Sequence, residues 1–363
     1  MSGWREPLVR AAIRGERCVA EIGNRDGGSM LENVLVTGGA GYVGSLLTPQ
    51  LLARGYGVSV YDIMYFGDEF LPKSNSKMRL IKGDLRDTPT LAEALQGIDA
   101  VIHMACISND ASFELDEKLS TSVNLDCFED MVIAAKKAGV RRFIYASTSS
   151  VYGVSDAPDV TEDHPLVPLT LYNKYKGMCE PLLFKHQSKD FVCVTVRPST
   201  LCGYAPRQRL DLTVNILTNH AVTNNRITVF GGTQLRPNLH VQDMVDLYLL
   251  LLTLPDAAIA GETFNAGYQN MSINQIAQLV QRVVQEEFPE KGKIPIVATP
   301  SDDNRSYHVN SDKIRRRLDY VPKRTVEQAV RELCHAFRAG KLPNSMSDDF
   351  YYNVRRLKAV NAR

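Results

Sequence analysis

The chain contains 363 residues, 44% of them hydrophobic, which is enough for one large α/β domain, alone or with a smaller lobe. Its formal net charge of +1 gives no support to binding of nucleic acid or of an anionic membrane. No apolar run approaches the roughly 20 residues that span a bilayer.

Cysteine usage indicates the redox environment. The seven cysteines are scattered and include no C-x-x-C pair. This pattern predicts a reducing, cytoplasmic environment, with no disulfide framework and no metal site.

Residues 1–30 lack the apolar core of a secretory signal, and we expect them to form a poorly ordered N-terminal extension. From Leu31 onward, strand-like apolar runs alternate with helical segments, which predicts an α/β fold with a Rossmann doubly wound parallel sheet. The predicted strands are 31–36, 57–61, 78–81, 99–103, 141–147, 191–197 and 262–265. The predicted helices are 42–54, 88–96, 117–138, 172–188, 211–224, 241–253, 273–287 and 325–339.

The alternation becomes irregular after residue 200. We therefore expect a first domain over residues 31–200 and a smaller C-terminal α/β lobe over residues 201–340. The segments around 239–268 are expected to return to the first domain. The tail 341–363 carries aromatic and basic residues, and the sequence gives it no assignment.

The stretch VLVTGGAGYVG, from Val34 to Gly44, predicts a buried strand, a tight turn and the start of a helix. Gly38 suits the turn, Gly41 lets backbone N–H groups approach a pyrophosphate, and Gly44 allows close packing of helix on strand. The next strand ends in Asp62, about 20 residues further on, where a carboxylate can bond a ribose 2'-hydroxyl. An acid there repels a 2'-phosphate, so the pattern favours NAD over NADP. An ordinary glycine-rich turn and a solvated loop acid are the alternatives.

Polar residues follow two further predicted strands. Asp84 could accept a bond from an adenine amino group or cap the next turn, and His103 is more typical of a buried core histidine than of a catalyst. Ser108, with the following Asn109 and Asp110, could contact a substrate or form a plain turn.

Tyr172 and Lys176 lie four residues apart at the start of a predicted helix and therefore share one face. A lysine ammonium beside a phenol lowers the phenol's pKa from about 10, which makes the phenolate available to oxidise an alcohol. A surface Tyr–Lys pair is the common alternative. Here the pair follows a dinucleotide-type glycine turn and the hydroxyl cluster at Thr148, which favours catalysis.

Together these motifs resemble those of the extended short-chain dehydrogenase/reductases, in particular the NAD-dependent nucleotide-sugar epimerase and dehydratase family. The similarity spans about residues 31–335. The motifs, in family order, are TGGAGYVG, Asp62, GDL, HMAC, ASTSSVYG, YNKYK, RPSTLCGY and LHVQD.

The resemblance implies that Tyr172 is the catalytic base and that Thr148 bonds the reacting sugar oxygen. It implies that Lys176 lowers the pKa of Tyr172 and bonds the nicotinamide ribose. The family's helix asparagine has a counterpart in Asn124, slightly offset from the usual position. The first domain is then the NAD-binding domain and the second lobe binds the substrate.

The resemblance also implies two sets of binding residues. The expected NAD-binding residues are Gly38, Gly41, Tyr42, Val43, Gly44, Asp62, Asp84, Leu85, Met104, Ala105, Cys106, Tyr172, Lys176 and Pro198. The expected substrate-binding residues are Ser108, Ser149, Thr200, Arg207, Arg209, Arg236 and Arg305. Within the second set, Arg236 and Arg305 look like a clamp on the substrate diphosphate, a role that suits planar guanidinium groups.

The residues after Thr148 bear on the reaction. Similar dehydratases carry an Asp-Glu pair there, and similar decarboxylases and 3,5-epimerases carry a Glu or a Cys close by. This chain has Ser149 and Ser150, and a hydroxyl without an activating partner is a poor general acid or base. The sequence therefore favours C4 epimerisation of a nucleoside-diphosphate sugar.

Other functions remain as alternatives. Net C4 dehydrogenation or 4-keto reduction comes second, because residues 207–215 resemble a segment of GDP-heptose 4-dehydrogenases. A 4,6-dehydratase has less support. A non-catalytic dinucleotide-binding scaffold would typically lack the tyrosine or the lysine, and a reductase of steroid-like or phenolic substrates would lack the two clamp arginines.

The helices predicted at 117–138 and 172–188 carry apolar stripes. In similar proteins these two helices form a homodimer interface, so the resemblance implies a homodimer. A stripe that faces the protomer's own core would have the same pattern.

Overall fold

The computed structural model describes residues 30–155, 157, 159–300, 306 and 308–362. Most of the predicted N-terminal extension therefore lies outside the described residues, as does Arg305. The strands are β1 (Asn33–Thr37), β2 (Gly57–Asp62), β3 (Met78–Lys82), β4 (Ala100–His103), β5 (Arg142–Ala146), β6 (Val192–Pro198), β7 (Thr200–Cys202), β8 (Ile227–Phe230), β9 (Leu235–His240), β10 (Glu262–Ala266), β11 (Gln269–Ser272) and β12 (Ile296–Thr299).

Seven parallel strands form the large sheet, in the order β10-β6-β5-β4-β1-β2-β3. Strand β1 lies inside this sheet, and its Val34, Leu35 and Val36 are fully buried, as expected for a parallel strand covered on both faces. The chain order reverses between β4 and β1, which places a crevice beyond the carboxyl ends of these strands. The predicted Rossmann sheet is confirmed.

Helices cover the large sheet and build most of the C-terminal half. They are α1 (Gly44–Ala53), α2 (Thr88–Ala94), α3 (Asp110–Phe113), α4 (Glu117–Thr121), α5 (Phe128–Lys137), α6 (Leu171–Phe184), α7 (Thr213–Asn224), α8 (Val241–Thr253), α9 (Asp256–Ile259), α10 (Ile273–Glu287), α11 (Asp312–Leu318), α12 (Val326–Arg338) and α13 (Asn353–Ala359). None of the helices in the described part of the chain has the length and apolar character needed to cross a membrane.

The predicted helix at 117–138 is interrupted. A π-helical turn, Ser122–Asp126, separates α4 from α5. In this turn the Asn124 side chain accepts a hydrogen bond from Ile107 N (2.8 Å) and donates one to Ile107 O (2.9 Å). The two bonds hold the loop after β4 against the π-helical turn. Because this is a tertiary contact, the helical periodicity of the sequence could not predict the interruption.

Two small sheets, in the orders β11-β9-β7 and β12-β8, lie in the second half of the chain. Helices α7, α10 and α12 supply much of the core beside them, including the fully buried Val214, Val280 and Val330. By contrast, β10 pairs with β6, and the apolar residues of α8 share the core of the large sheet with β1.

The apolar stripes on the two helices considered for dimerisation mostly face the protomer's own core. Phe128, Met131 and Val132 of α5 and Leu183 of α6 are buried in the core cluster beneath the large sheet. Met178 of α6 differs, with 42% of its surface exposed. Core packing therefore accounts for most of the pattern.

Candidate active site

A cavity of about 480 Å³ lies at the carboxyl edge of the large sheet, between this sheet and the second half of the chain. It brings together most of the residues predicted from the sequence. The predicted residues that line it are Gly38, Gly41, Tyr42, Val43, Asp62, Asp84, Leu85, Met104, Ala105, Cys106, Ser108, Thr148, Tyr172, Pro198, Thr200, Arg207, Arg209 and Arg236.

The glycine turn between β1 and α1 has the geometry of a dinucleotide cradle. Gly38 has a φ of +72°, and a Cβ atom there would lie 2.7 Å from the backbone N of Ala105. At Gly44 a Cβ atom would overlap the carbonyl oxygen of Gly39, so only glycine lets α1 begin this close to the turn. Gly38 and Gly41 line the cavity, whereas Gly44 serves packing. The turn therefore fits a dinucleotide, since its backbone is open where a phosphate approaches.

Asp62 ends β2 at the rim of the same cavity. Its Oδ2 accepts a hydrogen bond from Ala40 N (3.0 Å) and its Oδ1 accepts one from Met64 N (2.8 Å). Burial raises the pKa of Asp62, while these two backbone bonds oppose the shift. Each oxygen keeps a second lone pair, so the oriented carboxylate can also accept bonds from ribose hydroxyls.

Asp84 has a position that suits both roles predicted for it, a bond to the adenine amino group and a cap on the next turn. It lines the cavity, and its Oδ1 also accepts a bond from Arg86 N (2.9 Å) in the next turn. The Arg86 guanidinium, 2.6 Å away, lowers the pKa of this carboxyl group.

Tyr172 and Thr148 reach the cavity from two elements. Tyr172 lies in the first turn of α6, whose N-cap is Thr170, with Oγ1 accepting a bond from Asn173 N (3.3 Å). Thr148 follows β5, and its Oγ1 accepts a bond from Ser150 N (3.2 Å). The proton acceptor and the hydroxyl predicted to hold the substrate therefore line one cavity with the glycine turn.

Lys176 lies one helical turn below Tyr172 and is 3% exposed. Its Nζ donates to Ala146 O (2.7 Å) and lies 5.0 Å from the centre of the Tyr145 ring. The sequence predicts that this lysine lowers the pKa of Tyr172. In the structure, burial raises the pKa of Tyr172 well above its usual value, Cys106 and Asp110 add to the rise, and Arg209 opposes it. Desolvation of the phenolate therefore dominates in the protein alone, and the lowering of this pKa by Lys176 stays a prediction.

His103 is a core residue. Its Nδ1 lies 2.7 Å from Thr37 Oγ1, and its ring stacks on Tyr145 with centroids 5.8 Å apart. Burial, with a contribution from Lys176, lowers the pKa of His103 well below its usual value. The residue is therefore neutral and structural, the more typical of its two interpretations.

Two of the arginines predicted to bind the substrate, Arg209 and Arg236, line the cavity. Arg209 forms a two-bond ion pair with Asp211 (Nε–Oδ1 2.9 Å, Nη2–Oδ2 3.2 Å). Arg236 is 9% exposed in β9, and its Nη1 donates to Leu235 O (2.9 Å). Both guanidinium groups are thus held in place where a diphosphate or sugar can reach them.

Three predicted residues lie outside the lining. Gly44 packs against the turn, Lys176 is covered by β5, and Ser149 is 1% exposed in the short helical turn after Thr148. Sequence reasoning also missed several lining residues, among them Phe66, Asn353 and Leu357. The aromatic and basic residues of the tail were the available signal for the last two.

The family model for the NAD dependent epimerase/dehydratase family matches residues 34–267, more than half of the chain. The chain belongs to this family. A UDP-glucose 4-epimerase of Lactobacillus helveticus is 28% identical over 316 residues, which cover 80% of this chain and 92% of that protein. A dTDP-glucose 4,6-dehydratase of Streptomyces griseus is 28% identical over 304 residues, covering 81% of this chain and 90% of that protein.

Among solved structures, MoeE5 in complex with UDP-glucuronic acid and NAD aligns with a TM-score of 0.73 and 25% identity, over 85% of this chain and 99% of MoeE5. NAD is the cofactor, since the family depends on it and the glycine turn and Asp62 fit it. Epimerases and dehydratases match at the same identity, so family membership does not select between their reactions.

Proposed function

We propose that this protein is a nucleotide-sugar 4-epimerase that acts through transient oxidation at sugar C4. The supporting arrangement is one cavity that combines the dinucleotide cradle, the Thr148 and Tyr172 hydroxyls and the Arg236 guanidinium. Arg236 would bind the substrate diphosphate, which leaves the sugar to extend toward Tyr172.

In this mechanism, the Thr148 hydroxyl bonds the O4 atom of the sugar and Tyr172 accepts its proton. NAD bound in the cavity supplies the hydride acceptor for C4. The positive charge of a bound nicotinamide ring would oppose the raised pKa of Tyr172 and favour the phenolate. The same tyrosine returns the proton when the ketone is reduced on its other face.

The observation that carries the proposal is the chemistry next to Thr148. Ser150 lines the cavity, and Ser149 beside it is buried, with no hydrogen-bond partner for its Oγ among the described residues. Neither side chain is an acid or a thiol. Asp110 also lines the cavity near Tyr172, but its Oδ1 accepts a bond from Thr170 Oγ1 (2.6 Å). Among the described residues, the two positions next to Thr148 therefore offer no acid or thiol for proton transfer at C5 or C6, which favours return of the hydride to C4.

The test is incubation of the purified protein with UDP-, GDP-, dTDP- and CDP-sugars, without added NAD, followed by mass spectrometry and NMR. An isomer of unchanged mass is expected, and Tyr172→Phe should form none. A product lighter by one water would identify a dehydratase and overturn the proposal.

The second candidate is a net C4 dehydrogenase, favoured by the likeness of residues 207–215 to GDP-heptose 4-dehydrogenases. The same assay, repeated with added NAD as the oxidant, distinguishes it. A product lighter by two hydrogens, formed with stoichiometric NADH, would replace the epimerase with this reaction.

We also propose a homodimer in the cytoplasm. Exposed Met178 on α6 and the family resemblance support the dimer, and the scattered cysteines support the location. Sedimentation should give twice the protomer mass, with Met178→Glu shifting the protein toward monomer. A monomeric wild type at micromolar concentration would exclude the dimer.

A further inference from the structure

The tail after α12 contributes to the wall of the cavity. Leu342, Tyr351 and Tyr352 pack against Leu333 and Leu210 in a small apolar core on the substrate side. The chain then continues into α13, where Asn353 and Leu357 line the cavity. The tail is therefore a part of the site.

On the cofactor side, the tail contacts the loop that follows Asp62. The ring of Phe350 lies 6.4 Å from Phe66, edge to face, and 5.8 Å from Phe70. Arg356 Nε donates to Tyr65 O (2.6 Å). Because Asp62 is the ribose-binding acid, these contacts bring the tail to the adenosine end of the cradle.

Asn353 joins the two sides of the cavity. Its Nδ2 donates to Ser108 Oγ (2.8 Å), its Oδ1 accepts from Arg207 Nη2 (2.8 Å), and its backbone N donates to Asp211 Oδ2 (3.0 Å). The side chain is 5% exposed, so these bonds are shielded from water. They fix the position of the Arg207 guanidinium.

Arg207 is a buried cation. It is 1% exposed, stacks on Phe66 with its Cζ 3.6 Å from the ring centre, and forms no ion pair among the described residues. Its Nε has no hydrogen-bond partner within that part of the chain. Burial lowers the pKa of Arg207 to about 9, neighbouring Arg209 adds to the shift, and the carboxylates of Asp211 and Asp62 oppose it. A buried cation without an ion pair is costly, and an anionic ligand would offset the cost.

The neighbours of Arg207 indicate which anion fits. Its backbone N donates to Ser45 Oγ (3.2 Å), in the first turn of α1, directly after the glycine cradle. The cradle approaches the cofactor diphosphate from one side, and Arg207 lines the same cavity beside Phe66. Arg236, which also lines the cavity, is the arginine that we propose for the substrate diphosphate.

We propose that Arg207 binds the diphosphate of NAD and that Asn353 positions it, so that the tail holds the dinucleotide in the cavity. This moves Arg207 from the substrate set predicted by the sequence to the cofactor set. The proposal rests on the cofactor of the family and holds whether the reaction is an epimerisation or a dehydrogenation.

The test measures NADH binding by fluorescence and NAD release after desalting, both without sugar nucleotide. Arg207→Met should raise the Kd for NADH about 10- to 100-fold, the range for a lost charge-assisted hydrogen bond. Asn353→Ala should raise it about 3- to 10-fold and speed release, because the arginine remains but is no longer fixed. Arg355→Met is the matched control, since Arg355 is exposed on the same helix and bonds Met346 O.

Three outcomes would overturn the proposal. An unchanged NADH Kd in Arg207→Met excludes cofactor binding. An unchanged NADH Kd with a raised KM for the sugar nucleotide returns Arg207 to the substrate diphosphate. A wild-type Kd and release rate in Asn353→Ala remove the role of the tail. If Arg207→Met fails to fold, Arg207→Lys is the second variant. It keeps the charge but loses the two-pronged guanidinium group, so its Kd for NADH should exceed that of wild type.

Discussion

Glu180 and Arg197 form a buried ion pair through two hydrogen bonds, Nη2–Oε2 at 2.6 Å and Nε–Oε1 at 2.9 Å. The pair supports the segment 147–152, because Ser147 Oγ donates to Glu180 Oε1 (2.6 Å) and Arg197 Nη1 donates to the Tyr152 hydroxyl (2.6 Å). It thereby connects α6, which carries Tyr172, to both ends of the segment that carries Thr148.

Removal of the Glu180 carboxylate should strongly destabilise the fold, since Arg197 would become an unpaired buried cation. We expect Glu180→Ala to lower the free energy of unfolding by about 3–5 kcal/mol, measured by urea denaturation. Glu93→Ala is the control, because Glu93 pairs with Arg79 at the surface and such pairs contribute little. Equal losses in the two variants would contradict a supporting role for the buried pair.

Tyr172→Phe removes the hydroxyl that we propose as the proton acceptor and keeps the ring. We expect turnover to fall by a factor of about 10²–10⁴, the usual contribution of a general acid–base group. NADH affinity and melting temperature should remain close to wild type. Tyr175→Phe is the control on the same helix, where Tyr175 packs against Phe113, and it should keep full activity. Substantial turnover by Tyr172→Phe would place the base elsewhere.

Asp62 should set the preference for NAD. In Asp62→Asn the carboxylate charge that repels a 2'-phosphate is lost, and we expect the ratio of the NADPH and NADH dissociation constants to fall about tenfold, equivalent to ~1.4 kcal/mol. Fluorescence titration with both cofactors measures this ratio. Asp84→Asn provides the comparison, because Asp84 lines the same cavity but pairs with Arg86. An equal change of this ratio in Asp62→Asn and Asp84→Asn would indicate that the overall charge of the cavity, and not the position of Asp62, sets the preference for NAD.

His103 should make the stability depend on pH. Its pKa in the folded state lies well below the usual 6.5, so under acidic conditions the unfolded chain binds a proton that the folded protein does not. Stability is therefore full above pH 6.5 and falls below it, by about 1.4 kcal/mol per pH unit for this group. Urea denaturation between pH 7 and pH 5 should show a shallower loss in His103→Gln. A wild-type slope in His103→Gln would contradict this account.

The sequence by itself was enough to predict the Rossmann sheet, and most of the site residues that it predicted line the cavity. Apolar strands and a glycine turn are local patterns, and parallel strands bring their carboxyl ends to one edge, so Gly38, Asp62, Thr148 and Tyr172 could be assigned to one site in advance. The family comparison confirmed the family, the fold class and NAD.

Only the tertiary structure determined the rest, because those features depend on residues far apart in the chain. The π-helical turn forms where Asn124 bonds Ile107, and the pKa of Tyr172 depends on how deeply the folded chain buries it. Asn353 reaches Arg207 across 146 positions and Ser108 across 245. Such contacts cannot be predicted from a local sequence pattern. They stabilise the protein only after folding has brought distant segments together and excluded water from the cavity.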